Sequence, residues 1–258
     1  MKHLAASPHG ELQEIFDGIW FVKSSHKMPV PMPLPMRISR AMTVIRNAED
    51  GTLTVVNSMR LSERGHAELD ALGKVTRVLR IGGFHGCDDG YYRERYGAKI
   101  YAVKGMTYRR GMKPDQGPTY LEPDVVIDED SPLPIPSARL KVFASSNPPE
   151  ALLLLDRDGG IVVSADALQN TAGPDEHCNW LGKIIMRRMG FFKPYAVGAG
   201  WLEFAKPEAE DVRSVLDLQF EHVLPGHGDP VIGEAKSKYA EEINGPLKGC
   251  HAPKSRAA

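Results

Sequence analysis

Between Val75 and Val103 the chain reads strand, glycine-rich turn, helix, strand, and few folds accommodate that order. Val75 to Ile81 is a β-branched run. Gly82-Gly83-Phe84-His85-Gly86-Cys87-Asp88-Asp89-Gly90 follows as a turn. A helix is predicted from about Tyr91 to Tyr96, stopping at Gly97, and Lys99-Ile100-Tyr101-Ala102-Val103 is a second strand. Two strands joined through a helix imply a parallel β-α-β crossover, which needs a sheet covered by helices. Upstream, Met42-Thr43-Val44-Ile45-Arg46 and Leu53-Thr54-Val55-Val56-Asn57 flank Glu49-Asp50-Gly51 and predict a hairpin. Gly18 to Val22 predicts another strand. Ser62 to Leu72 has near-helical apolar spacing, with Gly73 as its cap.

The second half repeats this grammar. Val125 to Ile127, Leu140 to Phe143, Ala151 to Leu155 and Gly160 to Ser164 are strand candidates. Trp180 to Met189 has helical apolar spacing and a basic face. Glu208 to Leu218, after Pro207, predicts an amphipathic helix. His222-Val223-Leu224 is a last strand. Hairpin strands first and α/β units after, in both halves, predict a four-layer αββα sandwich of the α/β class, a single domain over residues 1–258.

Two segments stand outside that pattern. Residues 27–36, Lys27-Met28-Pro29-Val30-Pro31-Met32-Pro33-Leu34-Pro35-Met36, carry proline at alternate positions, which removes backbone donors and predicts an extended loop. It reads as a surface loop, or as a lid or homo-oligomer contact. Residues 245–258 predict a loose tail. Gly105 to Glu122 is a Gly/Pro/Arg-rich loop in which Arg109 and Arg110 are either solvated or anion-binding.

Composition excludes several classes. Among 258 residues, 32 Lys and Arg stand against 33 Asp and Glu, so the basic surplus of a nucleic-acid binder is missing. No run approaches the ~18 apolar residues of a membrane span, and no membrane partner is expected. Three cysteines, Cys87, Cys178 and Cys250, are too few for a disulfide framework. They point to a reducing compartment, the cytoplasm.

Three loops place ligand-type side chains directly after a strand: His85 to Asp89, Ser164-Ala165-Asp166, and Leu224-Pro225-Gly226-His227-Gly228. Ligands of α/β proteins gather at such strand ends. Imidazole and carboxylate together suit Zn, Fe or Mn. Each residue also has a structural reading: Asp88 or Asp89 as a helix N-cap, Asp166 as a turn acceptor, Cys87 as a small buried side chain.

The order of these loops resembles the metallo-β-lactamase superfamily, over most of the chain from Gly18 to His227 and the helix beyond. That family places H-x-H-x-D-H-x-G after a strand. Here the corresponding run is Gly83-Phe84-His85-Gly86-Cys87-Asp88-Asp89-Gly90, followed by Gly97-Ala98-Lys99-Ile100-Tyr101-Ala102. The family's Ser-Gly-Asp turn is matched by Ser164-Ala165-Asp166, and its Pro-Gly-His-Gly by Pro225-Gly226-His227-Gly228. Gly83 stands at the first His, Cys87 at the acid and Asp88 at the next His. Ser145-Ser146-Asn147-Pro148-Pro149 replaces a Gly-His-Thr-Pro-Gly loop, with Ser146 at its His. The chain therefore resembles a degenerate branch.

The resemblance implies a small-molecule substrate and one divalent metal ion (Zn, Fe or Mn), held by His85, Asp88, Asp166 and His227. His177, which follows Asp166 closely, reads as a loop or helix-start residue or as a substitute for a missing ligand. The expected activity is metal-dependent hydrolysis of a small ester, thioester, lactone or amide. The alternatives are a mononuclear iron oxidoreductase acting on a thiol or persulfide, and a non-catalytic binding or scaffold protein.

Overall fold

The computed structural model describes residues 3, 5–28, 35–106 and 122–250. Seven strands form the larger sheet in chain order: β1 (Gln13–Phe16), β2 (Ile19–Met28), β3 (Met36–Arg46), β4 (Leu53–Val56), β5 (Val75–Arg80), β6 (Lys99–Val103) and β7 (Val125–Ile127). The first four pair antiparallel and the rest parallel. The change falls where α1 (Glu63–Leu72) and α2 (Asp89–Tyr96) supply the crossovers. The smaller sheet contains β8 (Ala138–Val142), β9 (Ala151–Leu155), β10 (Ile161–Val163) and, after the short pair β11 (Leu168–Gln169) and β12 (Ala196–Val197), β13 (His222–Leu224). Its order is β13-β10-β9-β8, with β10 and β13 parallel.

Both faces of the inner strands are buried, which is why β4, β9 and β10 read as unbroken apolar runs or nearly so. In β2, Ile19 and Phe21 turn to the core between the sheets, and Trp20 and Val22 to the opposite face under α1 and α2. In β9, Ala151, Leu153 and Leu155 meet that same core. Leu152 and Leu154 pack outward under α4 (Ala199–Ala205), α5 (Ala209–Arg213) and α6 (Ala235–Asn244). The layers are thus helix, sheet, sheet, helix, as the sequence pattern predicts. α3 (Trp180–Arg188) lies apart, across the far end of β3, with Leu181 and Met186 on Met36 and Ile38.

Several boundaries differ from expectation. The helix predicted over Glu208–Leu218 is α5 followed by a 3-10 turn, Ser214–Asp217, with Val212 and Val215 both buried. Lys27, Met28 and Met36 do not belong to a loop. They continue the ladder, Lys27 opposite Arg37 and Met28 opposite Met36, because Met28 and Met36 pack with the α3 cluster. The rest of that stretch, 29–34, lies outside the described residues, as do 107–121 with Arg109 and Arg110. The start of the expected tail is packed, Leu247 and Cys250 resting on the core under α4 to α6, and residues 251–258 lie outside the described ones. Among the described residues no helix is long and apolar enough to cross a membrane.

Candidate metal centre

The three ligand-bearing loops leave β5, β10 and β13. Parallel pairing of β10 with β13 sets the Asp166 and His227 turns side by side. The β5 loop is drawn across from the larger sheet. Ala151 N–H donates to Ile81 O at 2.8 Å, and Gly83 N–H to Pro149 O at 3.0 Å. Glycine permits the closeness: a Cβ on Gly226 would stand 2.3 Å from Ala165 O and 2.9 Å from His85 Cε1. Asn57, just after β4, donates Nδ2–H to Ser164 O at 2.9 Å, and Ala41 N–H bonds Gly226 O at 2.7 Å. The loops are therefore braced by strands of the larger sheet.

His85, Asp166 and His227 converge. Each offers a donor atom, and the three atoms lie within 4.8 Å of one another. His85 Nε2 is 3.2 Å from Asp166 Oδ2, and His227 Nε2 is 3.2 Å from Asp166 Oδ1. Donors on a tetrahedral ion at ~2.0–2.1 Å stand roughly 3.3 Å apart, so the spacing suits a small divalent cation. Two further observations fit one. Asp166 Oδ2 is buried yet accepts no hydrogen bond. Ser39 O accepts a bond from His227 Nδ1 at 2.8 Å, which fixes the ring proton on Nδ1 and points the Nε2 lone pair at a carboxylate. Two lone pairs facing each other require a cation or a proton between them.

The electrostatics carry the same demand. Burial alone would raise the Asp166 carboxyl, but the two imidazoles facing it, His85 and His227, hold it far below the usual range. Burial works against the His227 imidazolium, and the Asp166 carboxylate overcomes it and raises that ring. At His85 burial prevails and the ring is lowered.

Asp88 does not join this group. Its Oδ2 takes Arg40 Nη2–H at 2.6 Å and Arg60 N–H at 2.9 Å, with both side chains of the Arg40–Asp88 pair nearly inaccessible. The expected ligand is a counterion, because a buried guanidinium needs one. Nor does it cap α2, since no side-chain bond from Asp88 reaches the helix amides. His177 is outside the group, its Nε2 being 3.6 Å from Glu176 Oε1.

Besides Asp88, the two other positions where the family has an imidazole and this chain does not, Gly83 and Ser146, are packed by protein. A Cβ on Gly83 would stand 2.5 Å from Pro148 Cβ. Ser146 Oγ donates to Pro148 O at 2.7 Å and accepts from Trp201 Nε1 at 3.0 Å.

Two residues of the site escaped the sequence reading. Glu150 Oε1 accepts from Asp166 N–H at 2.6 Å and Ala167 N–H at 3.0 Å, shaping the turn that carries Asp166. Burial, with the Asp166 charge, pushes its carboxyl well up from the usual range. An acid heading the all-apolar run Ala151–Leu155 was the available signal. His26, on β2, lies within the field of Arg40, His85 and His227; burial and then these charges push it well below its ordinary value. Its polar neighbours in Ser24-Ser25-His26-Lys27 hid it.

Known structures share this architecture. The metallo-β-lactamase FIM-1 from Pseudomonas aeruginosa, solved in a mono-zinc form, superposes with a TM-score of 0.58 over 92% of this chain and 96% of its own, at 14% identity. The chain has the metallo-β-lactamase fold. DIM-1 metallo-β-lactamase exposed to ceftazidime gives 0.58 over 93% and 98%, at 9% identity. A metallo-β-lactamase from Hirschia baltica gives 0.54 over 90% and 97%, at 12% identity. No family model and no curated protein matches the sequence. What these chains have in common with it is the metallo-β-lactamase fold, carried at low identity.

Proposed function

We propose that this protein is a hydrolase of small carbonyl substrates (ester, thioester, lactone or amide) that works with one divalent metal ion on His85, Asp166 and His227. The observation carrying the proposal is the convergence of these three donors around a buried Asp166 oxygen that has no hydrogen bond. A divalent ion held there supplies Lewis acidity, polarising a carbonyl or acidifying water. The chain's own residues do the rest. Ser39 O orients His227 through Nδ1, and the two amides bound to Glu150 fix the turn beneath Asp166. Cys87 replaces the family's acid, so a strong carboxylate base is absent at that position and turnover is slow. FIM-1, with its mono-zinc form, is a precedent for this fold with a single ion.

The test is elemental analysis of the protein purified without chelator, beside Asp166→Ala, followed by ester, thioester and lactone hydrolysis with added Zn, Mn or Fe. About one ion per chain, lost in the variant, with metal-stimulated hydrolysis lost in His227→Ala, supports the proposal. The same two-imidazole, one-carboxylate set suits non-haem iron. Iron retained with visible absorption and no hydrolysis would favour the thiol or persulfide oxidoreductase. No metal under any loading would favour the binding protein.

A further inference from the structure

The inner face of α3 is firmly seated. Asn179 Oδ1 accepts from Gly182 N–H at 2.9 Å and from Arg37 N–H at 3.0 Å, fastening the helix start to β3. Gly182 lies so close to Arg37 O that a Cβ would stand 2.1 Å from it. Leu181 and Met186 are buried on Met36 and Ile38, with Ile185 beside them. One face being fixed inward, the other is held outward.

That outward face combines large apolar and basic side chains. Trp180 is 61% exposed, Ile184 45% and Met189, just past the helix, 49%. Lys183, Arg187 and Arg188 are exposed among them. Positions 180, 184, 187 and 188 fall on one stripe of a 3.6-residue helix, with 183 at its margin. Trp180 to Lys193 contains four basic residues and no acidic one, in a chain whose formal net charge is -1. Lys193 is paired with Glu242, whereas Lys183, Arg187 and Arg188 have no acidic partner among the described residues.

We propose that this face of α3 docks on an anionic lipid bilayer, with Trp180 and Ile184 at the headgroup–acyl boundary and Lys183, Arg187 and Arg188 among the lipid phosphates. Tryptophan concentrates at that boundary, and long basic side chains lay their stems on apolar surface while their heads reach phosphate. A helix carrying both along one face lies in the plane of the interface without spanning it. A second copy is a poor occupant, because the same three cations would meet themselves across a two-fold axis. The proposal is independent of metal binding.

Trp180 is its own probe, since Trp20 and Trp201 are only 5% and 1% exposed. The whole protein is mixed with vesicles of phosphatidylcholine and phosphatidylglycerol, and with phosphatidylcholine alone. On the anionic vesicles the emission is expected to shift to the blue, and the protein to co-sediment and to release at high salt. Trp180→Phe should abolish the spectral shift. Arg187→Glu with Arg188→Glu should weaken sedimentation roughly 25-fold or more, at about fivefold per basic residue near an anionic surface. No sedimentation on the anionic vesicles overturns the proposal. So does equal binding of wild type and the double variant. A blue shift that appears without lipid as protein concentration rises also overturns it, and identifies a second copy as the occupant.

Discussion

Replacing Gly83 by histidine restores the family's first metal-binding imidazole on paper, and the structure argues that it will not restore a metal. A Cβ at this position would meet Pro148 Cβ at 2.5 Å, Pro148 Cγ at 2.8 Å and Pro149 O at 3.0 Å. Carbon atoms in contact normally stand about 3.5–4.0 Å apart, so two of these approaches are about an ångström too close. A proline ring cannot swing aside, and Gly83 N–H already bonds Pro149 O at 3.0 Å, so the loop itself must move. Overpacking of this kind costs about 1–3 kcal/mol, with the imidazole at the upper end. In a chain of this size that corresponds to a fall in Tm of roughly 3–10 °C. Gly83→Ala carries the same clash without a ligand and should lose most of the same stability. The assay is thermal unfolding of wild type, Gly83→Ala and Gly83→His, with metal stoichiometry measured on each. A Gly83→His protein that melts with wild type and holds two metals per chain would refute the reasoning.

Asp166→Ala should lower metal content toward zero while Cys87→Ala leaves it near the wild-type value, as elemental analysis will read directly; equal loss in both would place Cys87 on the metal. Asp88→Ala leaves the Arg40 guanidinium buried without its counterion, which costs about 3–5 kcal/mol in urea unfolding, and Arg40→Met in the same chain should recover much of it. Metal content should not change in Asp88→Ala, and a stable variant without metal would make Asp88 a ligand after all. The Asp89 carboxyl is pushed up to about 6 by burial, against the Arg80 charge and the Ser58 bond. A carboxyl raised in the folded state contributes stability below about pH 4 that is lost as pH rises through about 6. The advantage of Asp89→Asn over wild type should therefore grow across that window by at most about 3 kcal/mol, read from unfolding midpoints at pH 4 and 8. A constant difference would show that Asp89 is ionised throughout.

Strand content was legible wherever both faces of a strand are apolar, as in Ala151–Leu155, because only a doubly covered strand tolerates leucine at consecutive positions. It was not legible in the second half of β2. Lys23-Ser24-Ser25-His26-Lys27 has no apolar alternation, yet it pairs residue for residue with Arg37 to Ala41. Ser24 and Ser25 are buried there through contacts with distant chain, Ser25 Oγ donating to His177 O at 2.9 Å. Such contacts leave no periodic trace. α4 was missed for a related reason. Ala199-Gly200-Trp201-Leu202-Glu203-Phe204-Ala205 is only seven residues, and its helicity depends on packing Trp201 and Leu202 beneath the smaller sheet.

At the candidate metal centre the glycine-framed loops after strands were the readable signal, and the structure brings their His85, Asp166 and His227 together. The adjacent acids Asp88 and Asp89 could not be assigned from their own loop, since a ligand and a counterion look alike in sequence. The discriminating residues lie elsewhere, in Ile38-Ser39-Arg40-Ala41-Met42 and Val78-Leu79-Arg80-Ile81, where a single arginine interrupts a buried strand. A guanidinium cannot shed its charge, so each buried arginine requires acceptors or a carboxylate. Arg40 takes Asp88. Arg80 donates to Gly83 O at 3.1 Å and acts electrostatically on Asp89, under the same loop that presents His85. Arg40 and Arg80 thus sit against the adjacent acids Asp88 and Asp89, beneath a turn that keeps only His85 of the three imidazoles in the family's H-x-H-x-D-H. An arginine inside an otherwise apolar strand is the sequence's own sign that a nearby acid is claimed as its counterion, and for Asp88 that claim competes with a metal's.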